Sequence, residues 1–271
     1  MKSLYIIFSI IILFPIFCYS AFIEKAKWSR PEALGGAYCG ISDDLGAIGW
    51  NPAGLAQVKR IALSSYYSEL FGIRELSYAI MGLTLPAGGI GQFGLTYSRF
   101  GEGLYIEREA IFTHSFSIKD RIYFGYNIAV KIIDISEYGE DSTICIDGGL
   151  LGRINPFLRI GIASFNMNHT GISKGNEVLP QSFRMGISYL PCRDLLLSSE
   201  VYKQISYPTE LRYGMEYELS SFCRIRCGIV NYPARFSGGV GLKWSIFELD
   251  YALVTHQHLP LEHHFTFTLF P

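Results

Sequence analysis

The sequence predicts an all-β protein, a closed antiparallel transmembrane β-barrel of about fourteen strands with a short helical N-terminal hatch or plug. Three observations lead there. First, 15% aromatic residues, 28 glycines and a mean hydropathy of +0.22 accompany only 17% charged residues, below the roughly 25% of a soluble domain. Past the first residues, however, no apolar run approaches the roughly 20 residues that a spanning helix needs. A closed barrel reconciles the two, because it spreads membrane-facing side chains over alternate positions and pairs every backbone group. Second, from Ile61 onward the chain breaks into segments of about ten residues with period-two alternation. Third, the N-terminus carries an export leader.

That leader is Lys2, an apolar run from Leu4 to Phe17, and Cys18-Tyr19-Ser20 before Ala21, small residues standing where a signal peptidase reads. Residues 1–20 are therefore expected to be a signal peptide, 21–59 a hatch segment and 60–271 one barrel domain. Five cysteines follow the leader, Cys39, Cys145, Cys192, Cys223 and Cys227, an odd and scattered set that argues against a disulfide framework.

Residues 30–56 lack alternation. Ser42-Asp43-Asp44 is placed to cap a short helix from Leu45 to Trp50, and Asn51-Pro52 ends it, because proline disfavours helix at the preceding residue. Ala53 to Gln57 reads as a second short turn.

Strands are expected to begin near Ile61, Arg74, Gly91, Tyr105, Arg121, Thr143, Leu158, Gln181, Leu195, Thr209, Phe222, Arg235, Phe247 and Glu262. If the first runs outward, the periplasmic connections are tight, as at Lys119-Asp120, Asn155-Pro156 and Ser245-Ile246. The outward ones include Ser136 to Ser142 and, longest, His169 to Pro180. Arg184, Glu200, Arg212, Glu216, Arg224, Arg226, Lys243, Glu248 and Asp250 fall on the polar faces of their strands. Facing lipid, each would cost about 2–4 kcal/mol at the midplane, so they are assigned to the lumen. A turn at Leu219 to Ser221 sets Glu216 opposite Arg224, and one at Ser245-Ile246 sets Lys243 opposite Glu248. Inward Gly186, Ser188, Gly214, Gly239 and Gly241 leave lumen space. Tyr66, Tyr67, Tyr189, Tyr232 and Trp244 are candidates for the aromatic girdles. The last strand, His263 to Phe270, alternates Phe265, Phe267 and Leu269 in the pattern of a barrel-insertion signal, with Pro271 after the terminal aromatic.

The ordered set Leu34-Gly35-Gly36-Ala37, Asp43-Asp44 and Trp50-Asn51-Pro52-Ala53-Gly54-Leu55 resembles the N-terminal signature of the PorV/PorQ group of FadL-like outer-membrane proteins. The Asn51-Pro52-Ala53 triplet is similar to one in the hatch of FadL-type fatty acid transporters. The resemblance implies a hatch-gated transporter or channel for hydrophobic compounds in the outer membrane of a diderm bacterium. There, hatch movement and an opening in the wall let ligand leave sideways into the bilayer. The alternative it implies is a non-transporting component of a protein secretion system that docks exported proteins or machinery. Asn51, Pro52, Ala53 and Gly54 carry over as hatch-structuring residues. The outer loops are shorter than those of the fatty acid transporters, and the PorV-like proteins are commonly longer, which reads as a minimal barrel. Expected partners are outer-membrane lipid and either a hydrophobic small molecule or secretion-system proteins.

Other chemistry finds little footing. A net charge of -1 leaves no nucleic-acid footprint. His256, His258, His263 and His264 cluster near the end, but the spacing is not His-Glu-x-x-His, and neighbours 263 and 264 point to opposite faces of a strand. Glu107 and Glu109 share a face opposite Arg108 without a nucleophile nearby. No Gly-x-Ser-x-Gly elbow or phosphate loop occurs. Neither an enzyme, a metal site nor a cofactor is predicted.

Overall fold

The computed structural model describes residues 21–22, 27–172 and 177–271; the expected leader lies outside them. Fourteen strands close into one antiparallel barrel. They are β1 (Ala62–Glu69), β2 (Ser77–Pro86), β3 (Gln92–Phe100), β4 (Tyr105–Ile118), β5 (Ile122–Ile135), β6 (Gly139–Asn155), β7 (Leu158–Phe165), β10 (Ser182–Cys192), β11 (Leu195–Gln204), β12 (Glu210–Ser220), β13 (Cys223–Asn231), β14 (Ala234–Trp244), β15 (Phe247–Val254) and β16 (Glu262–Leu269). Between β7 and β10, β8 (Gly171–Ile172) and β9 (Glu177–Val178) form a separate two-stranded sheet, and Ile172 packs into the interior cluster of Ile111, Ala129, Ile133 and Cys145. Each strand pairs with its chain neighbour, and β1 closes on β16 through Leu63↔Leu269 to Glu69↔His263.

Two strand starts differ from expectation by more than a residue or so. Arg74–Leu76 forms a 3-10 turn, so β2 begins at Ser77. The β5–β6 hairpin zips up to Ile135↔Gly139, which shortens the expected Ser136–Ser142 connection to three residues.

Alternation assigns the faces. On β12, Leu211, Tyr213, Met215 and Tyr217 face outward while Arg212, Gly214 and Glu216 are covered from within. Replacing lipid-facing Met215 with arginine is expected to lower stability in lipid vesicles by about 2–4 kcal/mol, read from denaturant unfolding. Tyr66 departs from the girdle assignment. It lies on the inner face of β1, 3% exposed, and hydrogen-bonds His264 across the lumen side of β16.

One charge register also differs. The β12–β13 turn is Ser221-Phe222, so Glu216 pairs with Arg226 and Glu218 with Arg224. Lys243 does face Glu248 in register, but Glu248 accepts from Arg224 at 3.2 Å. Cys39, Cys145, Cys192, Cys223 and Cys227 are free.

Candidate functional site

The segment between the barrel's first strand and the described N-terminus is threaded through the lumen as α1 (Ser29–Ala33), α2 (Ala47–Trp50) and a 3-10 helix at Pro52–Gln57. Leu34, Tyr38, Ile41, Ile48, Trp50 and Leu55 are almost wholly buried, which makes the hatch the core of the molecule.

Wall glycines are what let it fit. A Cβ on Gly125 of β5 would lie 2.3 Å from the Pro52 carbonyl carbon. On Gly161 of β7 it would lie 2.1 Å from the Cys39 oxygen, and on Gly228 of β13 2.1 Å from the Gly35 nitrogen. Gly186, Gly214 and Gly239 are met in the same way by Gly40, Leu34 and Ala33. The inward small residues thus hold the hatch backbone and leave no open lumen at that level.

Buried polar groups fix it further. Arg30 of α1 grips Glu216 of β12 through Nε and Nη2 at 2.8 and 2.9 Å, and donates from Nη1 to Asp43 and Asp44. Asp43 and Asp44 therefore serve as ion-pair partners; α2 has no side-chain cap, and its N-cap is Gly46. Glu216 also accepts from Arg226, which reaches Asp250. Glu200 of β11, 1% exposed, accepts from the backbone N–H of Tyr38 at 3.0 Å and of Cys39 at 2.8 Å, and pairs with Arg184 and Arg212. Lys27 and Lys131 share Glu109. All nine predicted charges lie on the barrel's inner face, but only Glu200 and Glu216 bond the hatch directly in the contacts described above. Arg30, Lys27 and Lys131 are not singled out by the sequence, and Glu109 is marked there only as sharing a strand face with Glu107. Nothing local marks the grip of Arg30 on the wall, because Glu216 is 186 positions away.

Asn51 is wholly buried. Its Nδ2 donates to the carbonyls of Cys39 and of Leu150 on β6, both at 3.1 Å, and its Oδ1 accepts from Ala53 N–H. Pro52 and Ala53 lie on Gly125, the Ala53 carbonyl accepts from Ser115, and Gly54 has no room for a Cβ because Ser42 O would be 2.0 Å away. The four residues form a turn that locks hatch to wall. Asn51→Ala strands the Leu150 and Cys39 carbonyls and the Ala53 N–H; a loss of about 1–3 kcal/mol is expected, measurable as a lowered unfolding midpoint.

Three spaces remain. At the end where both barrel termini lie, a cavity of about 500 Å³ is floored by charge, including Arg30, Asp43, Arg159, Glu216, Arg224, Lys243, Glu248 and Asp250, with Phe270 at its edge beneath Arg60. At this rim, hydrogen bonds from Lys59 and Ser117 hold the Asp120 carboxyl below its ordinary pKa. At the opposite mouth, a cavity of about 270 Å³ is walled by Leu70, Phe71, Tyr207, Phe236 and Val254 on one part and by Glu210, Arg212, Arg235, His256 and Glu262 on another, with Glu32, Gly35 and Gly36 of the hatch also lining it. Beside it, a crevice of about 80 Å³ lies between Phe22, Trp50, Phe100, Phe165 and Tyr202, with the ion-paired Lys27, Glu109, Lys131 and Arg184 also on its walls. Among the described residues no group of His, Cys, Asp and Glu is arranged to hold a metal.

No protein-family model matches the sequence, and no curated protein matches it. Solved structures do. The Ralstonia pickettii toluene transporter TbuX superposes with a TM-score of 0.71 at 12% identity, over 92% of this chain and 100% of that one. The P. putida toluene transporter TodX gives 0.72 at 9% identity, over 91% and 99%. A Pseudomonas aeruginosa FadL homologue gives 0.68 at 11% identity, over 92% and 99%. At such identities the likeness is one of fold: the chain shares the FadL-like barrel. None of these matches is a secretion component.

Proposed function

We propose that this chain is an outer-membrane channel of a diderm bacterium that passes uncharged hydrophobic molecules, with residues 21–59 as its hatch and 60–271 as its barrel. The contrast between the two ends of the lumen carries the reading. At one mouth the cavity wall carries an apolar patch of Leu70, Phe71, Tyr207, Phe236 and Val254 beside ion-paired Glu210, Arg212 and Arg235; a charged floor faces the other mouth, and a buried hatch separates them. The structures matched above, two toluene transporters and a FadL homologue, support hydrophobic cargo. Neutral cargo is favoured because Lys27, Arg30, Lys131, Arg184, Arg212 and Arg235 each already lie within 4 Å of a carboxylate. An incoming carboxylate would have to break one of these pairs.

A sideways exit fits the same geometry, since the charged floor offers an apolar molecule nothing. The β2–β3–β4 pairing runs without a register shift. Strand pairing stops instead between β6 and β7: past Gly148↔Ser164, β6 continues outward for nine residues that pair with β5 but have no strand on their β7 side. There Asn168 stands in for a strand, accepting from Ile146 N–H and donating to the Ile144 carbonyl, while Met167 N–H bonds Ile146. A Cβ on Gly148 would lie 2.9 Å from the Met167 sulfur. A Gly148→Cys, Met167→Cys disulfide is expected to stop uptake of toluene into proteoliposomes and reduction to restore it, with benzoate uptake negligible throughout. Benzoate entering as fast as toluene would sink the neutral-cargo reading; unimpeded toluene uptake by the oxidised chain would sink the exit.

A further inference from the structure

From the outward face of β3 and β4 we infer a binding site for the phosphate group of an outer-leaflet lipid, centred on Arg99. The inference rests on the membrane reading but concerns a different surface.

Arginine belongs on few lipid-facing positions, because a guanidinium in the apolar band is costly. Among the described strand residues, the other arginines lie on inner faces; Arg99 and Arg108 alternate outward with Leu95, Tyr97, Ala110 and Phe112. They are direct cross-strand partners. Like charges placed opposite each other repel, and the repulsion here is relieved on one side only. Arg108 donates to Asp134 at 3.0 Å and Glu140 at 3.3 Å, carboxylates from the β5–β6 hairpin on its far side. Arg99 is exposed, and among the described residues no carboxylate lies within 4 Å of it.

The height of the pair on the wall says what it meets. On neighbouring β5 the outward positions are apolar from Ile122 to Ile132, eleven residues. At about 3.4 Å per residue and a strand tilt of about 40°, that run matches an apolar band about 25 Å tall. Arg108 is level with Ile132, and Asp134 lies just beyond. Arg99 and Arg108 therefore stand at the outer border of the hydrocarbon, above the half-exposed Leu95 and Tyr97, where acyl chains end and headgroups begin. A tetrahedral anion carried on a lipid satisfies the Arg99 guanidinium and screens it from Arg108, while its chains lie along the apolar wall below. A free anion gains only the first of these.

The test uses the full chain in detergent and measures retention of an acylated disaccharide bisphosphate against its dephosphorylated form by native mass spectrometry, with inorganic phosphate as competitor. The bisphosphate is expected to be retained about tenfold or more over the dephosphorylated lipid. Arg99→Gln should erase that preference, Arg99→Lys restore part of it, and millimolar phosphate leave it in place. Equal retention of both lipids by the unmodified chain, or an unchanged preference in Arg99→Gln, overturns the site; displacement by inorganic phosphate overturns its assignment to lipid. Heat-shifted gel mobility confirms that each variant is a folded barrel, and its loss in the unmodified chain would count against the membrane reading instead.

Discussion

Gly125→Val is expected to unseat the hatch while leaving the barrel folded. Valine suits a strand, and position 125 lies mid-strand on β5 between inward Tyr123 and Asn127, so the wall itself tolerates it. The hatch does not. A Cβ there would fall 2.3 Å from the Pro52 carbonyl carbon and 2.4 Å from the Ala53 nitrogen, both backbone atoms of the turn that Asn51 pins to β6. Forced overpacking of this kind costs about 1–3 kcal/mol or more, and the hatch relieves it by lifting away. The expected signature is ionic current in planar bilayers from protein that keeps its heat-shifted gel mobility. A sealed bilayer with a normally folded variant would show that the hatch does not close the lumen.

Glu200→Ala should have the largest effect on stability. The carboxylate is the shared acceptor of two hatch amides and two barrel arginines in a region from which water is excluded. Deleting it leaves the Arg184 guanidinium, whose side chain is 4% exposed, without this partner, takes the carboxylate acceptor from the Cys39 N–H, and leaves the Tyr38 N–H only the Gly36 carbonyl. Breaking a buried ion pair from one side costs about 3–5 kcal/mol. Unfolding in lipid vesicles should show that loss, and hydrogen exchange at the Tyr38 and Cys39 amides should quicken. Glu200→Gln, which keeps an acceptor, should lose less. A change below about 1 kcal/mol for alanine would mean that the hatch does not depend on this carboxylate.

Much of the barrel was legible because its signal is local. Period-two alternation and turn residues place the strand starts within four residues of where they lie, and the largest misses, at β2 and β6, come from the ends of strands. There a 3-10 turn at Arg74–Leu76 and a hairpin continuing to Ile135↔Gly139 look alike in sequence. Register was less legible. A turn displaced by one residue moved the partner of Glu216 from Arg224 to Arg226, since either pairing keeps the charges on the inner face. Tyr66 was misplaced for a related reason: a tyrosine serves equally at a membrane rim and against the buried His264.

The hatch was visible as a gap in the alternation with proline and glycine at telling positions. Its attachment was not. The contacts of Arg30 with Glu216, and of the Tyr38 and Cys39 amides with Glu200, join residues more than 150 positions apart. Inward glycines also looked like spare volume, because a sequence shows which side chains are missing without showing whose backbone takes their place. The apolar patch of Leu70, Phe71, Tyr207, Phe236 and Val254 at one mouth emerges only when residues from many strands are brought to one level.

The most direct test of the account is to record ion conductance and toluene uptake on the same reconstituted, unmodified protein. A hatch-closed channel for neutral hydrophobic molecules predicts current at the level of the protein-free bilayer together with toluene uptake well above it. Steady ionic current, or toluene uptake no faster than through protein-free vesicles, would contradict it.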